Sequence, residues 1–242
     1  MEKAYFTDLD STIICSGVTG DDLVCVATKH GKNASFMRKS SKSILEQITE
    51  KIITVPITTR CEMSYNNIFL KRLFRHALVD NGAVLVIEDQ VERDIWLNES
   101  YDISSSVRDQ FDSCRKILET YGYTEKWGSN FVLDYVCKGV TESSRENLRI
   151  ELEKFSGLLI NIGKTSAVAT FKCLSKGVAI NRYAKQFGVI PYLSSGDNKE
   201  DESMFGVTQI SIGKKNATYC LDTKDKLEFC DFVIRKAAEL TE

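Results

Sequence analysis

Residues 3–12 read KAYFTDLDST, a short apolar run that ends in two carboxylates, Asp8 and Asp10. The run predicts a first strand over residues 3–7, and side chains two residues apart in an extended segment point to the same side. Two neighbouring carboxylates repel each other unless a cation or a shared proton lies between them. An oxygen-only site suits a hard divalent ion such as Mg²⁺. The alternative is a solvated acidic turn or a helix N-cap.

A second acidic cluster follows another apolar run. Residues 189–194 predict a strand, and the residues after it include GDNKED at positions 196–201. In an open α/β sheet, ligands bind outside the carboxyl ends of the strands, so both acidic clusters are expected at one edge of the sheet. The alternative is a plain loop in which Asp201 caps a short helix over residues 201–205.

Groups that suit phosphate lie between the two clusters. Thr58-Thr59-Arg60 ends the apolar, β-branched run 52–58, and Lys176 opens a predicted helix over residues 176–187. A hydroxyl, an ammonium and the N–H groups of a helix N-terminus are the donors that a phosphate dianion needs. A threonine at a strand end is usually structural. What indicates a site is that all of these groups fall at strand or helix ends.

Strands and helices alternate in both terminal parts of the chain, which predicts an α/β fold. Residues 23–37 predict a β-hairpin, and residues 64–78 show the periodicity of a helix. Pro56 conflicts with the strand over 52–58, because proline cannot donate to a ladder. The middle of the chain, residues 104–171, predicts strands and helices in an order that suits a small α+β unit.

Composition excludes several classes of protein. The chain has 242 residues, of which 43% are hydrophobic, and its 32 basic and 34 acidic residues give a net charge of −2. A dedicated nucleic-acid binder would be strongly basic. Neither a membrane-spanning run nor the apolar stretch of a signal peptide is visible, which predicts a soluble, cytoplasmic protein. Eight cysteines without C-x-x-C spacing and only two histidines argue against zinc and favour reduced thiols.

Four motifs, in this order, resemble those of the haloacid-dehalogenase-like (HAD) phosphohydrolases. They are Asp8-Leu9-Asp10-Ser11-Thr12, Thr58 with Arg60, Lys176-Gly177, and Gly196-Asp197 with Asp201. An insert between the second and third motifs is similar to the cap of the C2-capped branch, which includes Cof-type and sugar phosphatases. The chain looks similar to the trehalose-, sucrose- and mannosyl-3-phosphoglycerate phosphatases of that branch. It departs from the branch at Ser11 and Glu200, where Gly and Asn are usual.

The resemblance implies a Rossmann-like parallel-sheet core with an inserted α+β cap domain. The core is expected over residues 1–83 and 172–242, and the cap over residues 84–171. Asp8 is implied to form an aspartyl-phosphate, with Mg²⁺ as cofactor, and the backbone carbonyl of Asp10 is among the implied metal ligands. The implied residues are, for catalysis, Asp8, Asp10, Thr58 and Lys176; for metal binding, Asp8, Asp10, Asp197 and Asp201; and for substrate binding, Thr59, Arg60 and Asn198.

The expected function is Mg²⁺-dependent hydrolysis of a small phosphorylated metabolite, with a sugar phosphate in first place. Neither nucleic acid nor membrane is expected as a partner, and no oligomeric state is indicated. One alternative is a phosphomutase or phosphotransferase of the same superfamily. Another is a signalling domain phosphorylated on aspartate, although such domains are shorter and have no large insert. Trp96 and Trp127, in the insert, are expected in its core or stacked on a sugar face.

Overall fold

The computed structural model describes residues 1–29 and 31–242. The strands are β1 (Lys3–Thr7), β2 (Cys15–Ser16), β3 (Leu23–Lys29), β4 (Lys32–Arg38), β5 (Ile53–Pro56), β6 (His76–Val79), β7 (Val84–Ile87), β8 (Gln90–Val91), β9 (Thr124–Glu125), β10 (Val132–Val136), β11 (Leu158–Ile162), β12 (Ser166–Phe171), β13 (Ile190–Gly196), β14 (Ile210–Gly213) and β15 (Tyr219–Cys220). The α-helices are α1 (Lys39–Lys51), α2 (Glu62–Tyr65), α3 (Asn98–Ser104), α4 (Arg108–Thr120), α5 (Glu142–Leu152), α6 (Lys176–Phe187), α7 (Glu202–Phe205) and α8 (Lys226–Thr241).

A five-stranded parallel sheet in the order β15-β14-β13-β1-β5 forms the centre of the fold. Strand β1 lies between β13 and β5, and its residues 4–7 are fully buried. Burial on both faces is typical of a parallel strand covered by helices. The predicted α/β class is therefore confirmed. Pro56 lies on β5 and pairs with Thr7 of β1. Because β5 is the edge strand of this sheet, a proline is tolerated there.

The two faces of β1 pack against different helices. Tyr5 belongs to the same apolar cluster as Leu45 of α1 and Phe229 of α8. On the opposite face, Phe6 packs with α6, where its ring meets that of Tyr183 edge-on at 5.6 Å between centroids. Successive side chains of a strand point to opposite faces, so this alternation fixes β1 between two helical layers. Asp8 follows directly at the carboxyl end of this buried strand.

The prediction of a helix over residues 64–78 is wrong. The helix α2 ends at Tyr65, a 3₁₀ turn follows over Phe69–Leu73, and His76–Val79 forms β6 instead. Strand β6 pairs antiparallel with β7, and its last three residues are buried. A short apolar run such as Ala77–Val79 suits a buried strand as well as a helix. Here the pairing of β6 with β7 makes it a strand.

Residues 104–171 form the expected α+β unit. A four-stranded antiparallel sheet in the order β11-β12-β10-β9 carries helices α4 and α5. Helix α4 packs on the sheet through Phe111, whose ring stacks on that of Phe171 with 4.5 Å between centroids. Both of these aromatic side chains are fully buried, and they belong to the same apolar cluster as Tyr5 of β1.

Residues 84–100 pack against the central sheet and its helices. Strand β7 pairs with β6, and the indole Nε1 of buried Trp96 donates to the carbonyl of Gly82 at 3.1 Å. The Arg182 guanidinium of α6 lies 4.0 Å above the Trp96 ring. The domain division at residue 84 stays a prediction, and this packing favours a cap that begins after residue 100.

A small three-stranded sheet in the order β2-β4-β3 follows the first acidic motif. It contains the predicted hairpin, here β3 and β4, and His30 lies outside the described residues. Within residues 1–29 and 31–242, no helix is long and apolar enough to cross a membrane.

Candidate active site

Asp8 occupies the first position after the central strand β1. Its side chain is almost fully buried, at 7% exposed, and its backbone N–H donates to the carbonyl of Ser195 at 2.9 Å. One carboxylate oxygen accepts from Nζ of Lys176 at 2.6 Å, and the other accepts from Oγ1 of Thr12 at 3.1 Å. Burial raises the pKa of Asp8, and the Lys176 ammonium acts in the opposite direction. The carboxylate is thus fixed by a cation and a hydroxyl at the edge of the sheet.

Lys176 lies buried between two carboxylates. Its Nζ donates at 2.6 Å to Asp8 and at 2.6 Å to Asp201, and only 1% of its side chain is exposed. Burial by itself lowers the pKa of Lys176, but the two carboxylates outweigh burial and the net pKa is raised. Lys176 opens α6 after Ser175, whose hydroxyl caps the helix by accepting from the N–H of Val178. A charged ammonium therefore lies at a helix N-terminus beside Asp8.

The loop after β13 supplies two further carboxylates. One oxygen of the fully buried Asp201 accepts from the backbone N–H groups of Asp197 at 2.9 Å and Asn198 at 3.0 Å. A Cβ at Gly196 would lie 2.2 Å from that of Asp201, so only glycine allows this close approach. The Asp197 carboxylate accepts from Nζ of Lys214 at 3.2 Å. Burial, and next the charge of Asp201, raise the pKa of Asp197.

Carboxylates of three of the predicted metal-binding residues come together. Oxygen atoms of Asp8, Asp197 and Asp201 all lie within 4.8 Å of one another. Their burial and oxygen-only donor set fit a hard divalent cation. The Asp10 carboxylate is not part of this cluster, and the resemblance assigned to the metal the backbone carbonyl of Asp10 and not its side chain.

The Asp10 carboxylate turns to Arg60 instead. Nε of Arg60 donates to one oxygen at 2.6 Å and Nη2 donates to the other at 2.7 Å. Arg60, which the resemblance assigned to substrate binding, therefore has its guanidinium engaged by Asp10. Thr58 lies beside this pair, buried, and its Oγ1 accepts from the N–H of Arg60 at 3.1 Å.

A cavity of about 480 Å³ opens above these residues, between the core, the small β2-β4-β3 sheet and the cap. The core contributes Asp10, Thr59 and Arg60 to its lining. The remaining lining comes mostly from polar residues of the hairpin and the cap, and apart from Trp127 the sequence did not indicate them, because they follow no motif. It includes Thr28, Lys29 and Ser35 of the hairpin and Lys126, Trp127, Ser129 and Asp134 of the cap.

The two tryptophans lie in different surroundings, and the stacking of Trp127 on a sugar stays a prediction. Trp96 is fully buried, whereas Trp127 lines the cavity. Asn198 lies outside the cavity lining, and its side chain caps a 3₁₀ turn over Lys199–Asp201 by accepting from the N–H of Glu200 at 2.8 Å. The substrate-binding role expected for Asn198 is not visible in this placement.

Two core carboxylates contact the cap. Oγ of Ser129 donates to Asp80 at 2.6 Å while it accepts from the N–H groups of Phe131 and Val132. Burial raises the pKa of Asp80 to about 7. On the other side, the side chain of Asn161 hydrogen-bonds Glu200, whose pKa is raised by burial. Glu200 is the residue that departs from the branch pattern, and here it faces the cap.

Comparison with known proteins identifies solved structures with the same fold. No protein-family model matches the sequence, and no curated protein matches it significantly. Solved structures do match. A trehalose-6-phosphate phosphatase related protein superposes with a TM-score of 0.61 at 17% identity, covering 98% of each chain. The sucrose-phosphatase of Synechocystis sp. PCC6803 gives 0.60 at 14% identity, covering 97% of each chain.

A HAD subclass IIB sugar phosphatase superposes with a TM-score of 0.57 at 16% identity, covering 96% of this chain and 99% of its own. The chain therefore has the fold of the capped HAD-superfamily phosphatases. More particularly, it has the architecture of the sugar-phosphatase structures in that class, with core and cap both matched along nearly the whole chain.

Proposed function

We propose that this protein is a Mg²⁺-dependent phosphomonoester hydrolase that acts through an aspartyl-phosphate on a small phosphorylated metabolite, specifically a sugar phosphate. The observation that carries the proposal is the placement of Asp8 at the end of the central strand. There it lies 2.6 Å from the Lys176 ammonium and belongs to a cluster of three carboxylates. The fold of the capped HAD-superfamily phosphatases supports the same reaction class.

Asp8 is the proposed nucleophile. An oxygen of its carboxylate forms a bond to phosphorus as the ester P–O bond breaks, which leaves phosphoryl on Asp8. Two anions approach each other in this step, so positive charge at the site must offset their repulsion. Lys176 supplies a buried ammonium, and the Thr58 hydroxyl, which already accepts from Arg60, can donate to a phosphoryl oxygen.

Asp8, Asp197 and the backbone carbonyl of Asp10 are the proposed ligands of Mg²⁺, with Asp201 in support. When bound, the ion neutralises charge on the carboxylates and on the phosphoryl group. The mutual distances within 4.8 Å and the oxygen-only donors support this assignment. Lys214, which contacts Asp197 at 3.2 Å, would hold that carboxylate in place.

Asp10 is the proposed general acid and base. It gives a proton to the leaving oxygen when Asp8 is phosphorylated and takes a proton from the water that later releases phosphate. Its carboxylate lines the cavity, which is where a leaving group would lie. Thr59 lines the cavity beside it and is proposed to bind the substrate.

The polar lining of the cavity supports a sugar as the leaving group. Hydroxyl side chains of Thr28 and Ser35 can exchange hydrogen bonds with sugar hydroxyls, and Trp127 offers an aromatic face. Ligand pockets of a few hundred Å³ enclose most of a small ligand, so a cavity of about 480 Å³ is adequate for a sugar phosphate.

The test is release of inorganic phosphate from a panel of phosphorylated metabolites, with Mg²⁺ and after chelation by EDTA. We expect the wild type to release phosphate from sugar phosphates with Mg²⁺ and to stop when the metal is chelated. Asp8→Asn should show no turnover, and Asp102→Asn, at an exposed cap residue, should match the wild type. Full activity in Asp8→Asn contradicts the proposal. Transfer of phosphoryl to a sugar hydroxyl without release of phosphate identifies a mutase instead.

A further inference from the structure

The pair formed by Asp10 and Arg60 extends the proposed mechanism. We propose that Arg60 is a positioning residue that holds the Asp10 carboxylate in the orientation needed for proton transfer, and that Arg60 does not bind the phosphate. This inference rests on the proposed function, because it concerns the general acid and base of that reaction. Its basis is the pair of hydrogen bonds, at 2.6 and 2.7 Å, from one guanidinium to both oxygens of one carboxylate.

Asp10 needs such a partner because its surroundings are open. Its side chain is 44% exposed and borders the cavity, unlike the buried Asp8. A general acid or base must lie within hydrogen-bond reach of the atom whose proton it moves. The planar fork of an arginine fixes the plane of a carboxylate through two parallel bonds, which a lysine cannot do.

Arg60 is itself held firmly. Its side chain is only 17% exposed, and its backbone N–H donates to Oγ1 of Thr58 at 3.1 Å. Its backbone carbonyl accepts from the N–H of Asp80 at 2.8 Å. The guanidinium thus projects from a segment fixed on both sides, in the loop after the edge strand β5, and can transmit that rigidity to Asp10.

The contacts of the nucleophile are separate from this pair. The Asp8 carboxylate bonds to Lys176 and Thr12, and none of its hydrogen bonds comes from Arg60 among the described residues. Removing Arg60 should therefore leave attack by Asp8 intact while it disorders Asp10. With 4-nitrophenyl phosphate, whose leaving group departs without a proton, the first step should stay fast and the release of phosphate should slow.

The experiment is rapid-mixing kinetics of Arg60→Ala, Arg60→Gln and Arg60→Lys with 4-nitrophenyl phosphate and Mg²⁺. We expect a burst of one 4-nitrophenol per active site in Arg60→Ala and Arg60→Gln, at nearly the wild-type rate, followed by turnover reduced about 100-fold. KM should not rise. Arg60→Lys should recover only part of the turnover, and the exposed Arg75→Ala should behave as the wild type.

A loss of the burst together with a higher KM in the Arg60 variants would show that Arg60 binds phosphate, and unchanged turnover would show that Asp10 does not depend on it. Either result overturns the inference. Melting temperatures of all variants, measured alongside, identify any that fail to fold, and Arg60→Gln preserves most of the side-chain volume. Failure of the proposed function is a separate result, since it appears as turnover in Asp8→Asn or no phosphate release by the wild type.

Discussion

The charged cluster at the carboxyl end of β1 and the cap residues that line the cavity are built by different means. The charged cluster, here called the floor, consists of Asp8, Lys176 and Asp201, which are 5%, 1% and 0% exposed, do not line the cavity and are bonded to one another. The cap face, defined by Lys126, Trp127, Ser129 and Asp134, lies on β10 and the loop before it and is open to the cavity. The floor has groups suited to phosphoryl transfer. The cap face has groups suited to recognising the leaving group of the substrate.

The largest expected effect tests the floor. In Lys176→Ala, the carboxylates of Asp8 and Asp201 lose their shared cation while they stay buried. We expect the free energy of unfolding without metal to fall by about 3–5 kcal/mol. Phosphate release should fall more than about 1,000-fold, since a donor to the transition state is lost.

Urea unfolding and a phosphate-release assay measure the two losses. Lys215→Ala, at a lysine that is 70% exposed, is the matched control and should change neither. A Lys176→Ala variant as stable as the wild type would show that the Lys176 ammonium does not stabilise the buried carboxylates of Asp8 and Asp201.

The second prediction concerns the metal and has a readout other than activity. Mg²⁺ that binds only the folded protein stabilises it by about 2.7 kcal/mol at 100 times its Kd. We therefore expect Mg²⁺ to raise the melting temperature of the wild type by several degrees and to have no effect on Asp197→Ala. Differential scanning fluorimetry with and without Mg²⁺ measures this. An equal rise in Asp197→Ala would place the ion elsewhere.

A smaller effect is expected on the cap face. Stacking of an aromatic ring on a ligand contributes about 0.5–1.5 kcal/mol, so Trp127→Ala should raise KM for the sugar phosphate up to about tenfold. Because Trp127 is proposed to contact the sugar and not the phosphoryl group, kcat should change much less. Trp127→Phe keeps an aromatic face and should recover most of the affinity. A fall in kcat with an unchanged KM would assign Trp127 to the chemistry instead.

A pH-dependent effect is expected at Asp80, where the core contacts the cap. Burial raises the pKa of Asp80 to about 7, whereas an unfolded chain has about 3.9. Between these pH values the folded state binds more protons at this carboxyl than the unfolded chain does. The free energy of unfolding therefore falls as pH rises from about 4 to 7. Asp80→Asn keeps the acceptor for Ser129 and removes this titration.

Relative to the wild type, the melting temperature of Asp80→Asn should increase by a few degrees between pH 5 and pH 8, with no further change above. Circular dichroism melts at a series of pH values measure the difference. A difference that does not vary with pH would show that Asp80 does not titrate in this range.

The same contrast explains what the sequence could predict. Asp8, Thr58, Lys176 and Asp197 all follow parallel strands or open a helix, and such positions meet at one edge of a sheet. The direction of the Asp10 side chain was not predictable, since it depends on Arg60, fifty residues away. The cap face was not predictable either, because its residues have no fixed spacing.

The helix expected over 64–78 failed for a related reason. Its apolar residues have a periodicity that suits a helix, but His76–Val79 pairs with Val84–Ile87 and is buried as a strand. Pairing between strands is a tertiary effect that overrides local pattern. Tertiary structure also explains why β5 can contain Pro56. The strand lies at the edge of the sheet, which was not visible in the sequence.

The measurement that tests the central claim most directly is mass spectrometry of acid-quenched protein after incubation with Mg²⁺ and 4-nitrophenyl phosphate, whose leaving group departs without a proton from Asp10. The Asp10→Asn variant is used, because loss of the general base should slow release of phosphate and let the intermediate accumulate. We predict one added phosphoryl group, located on Asp8, and none in a variant that also carries Asp8→Asn. Phosphate release by the wild type with no phosphoryl group on Asp8 in either protein, or with one on another residue, would contradict the account.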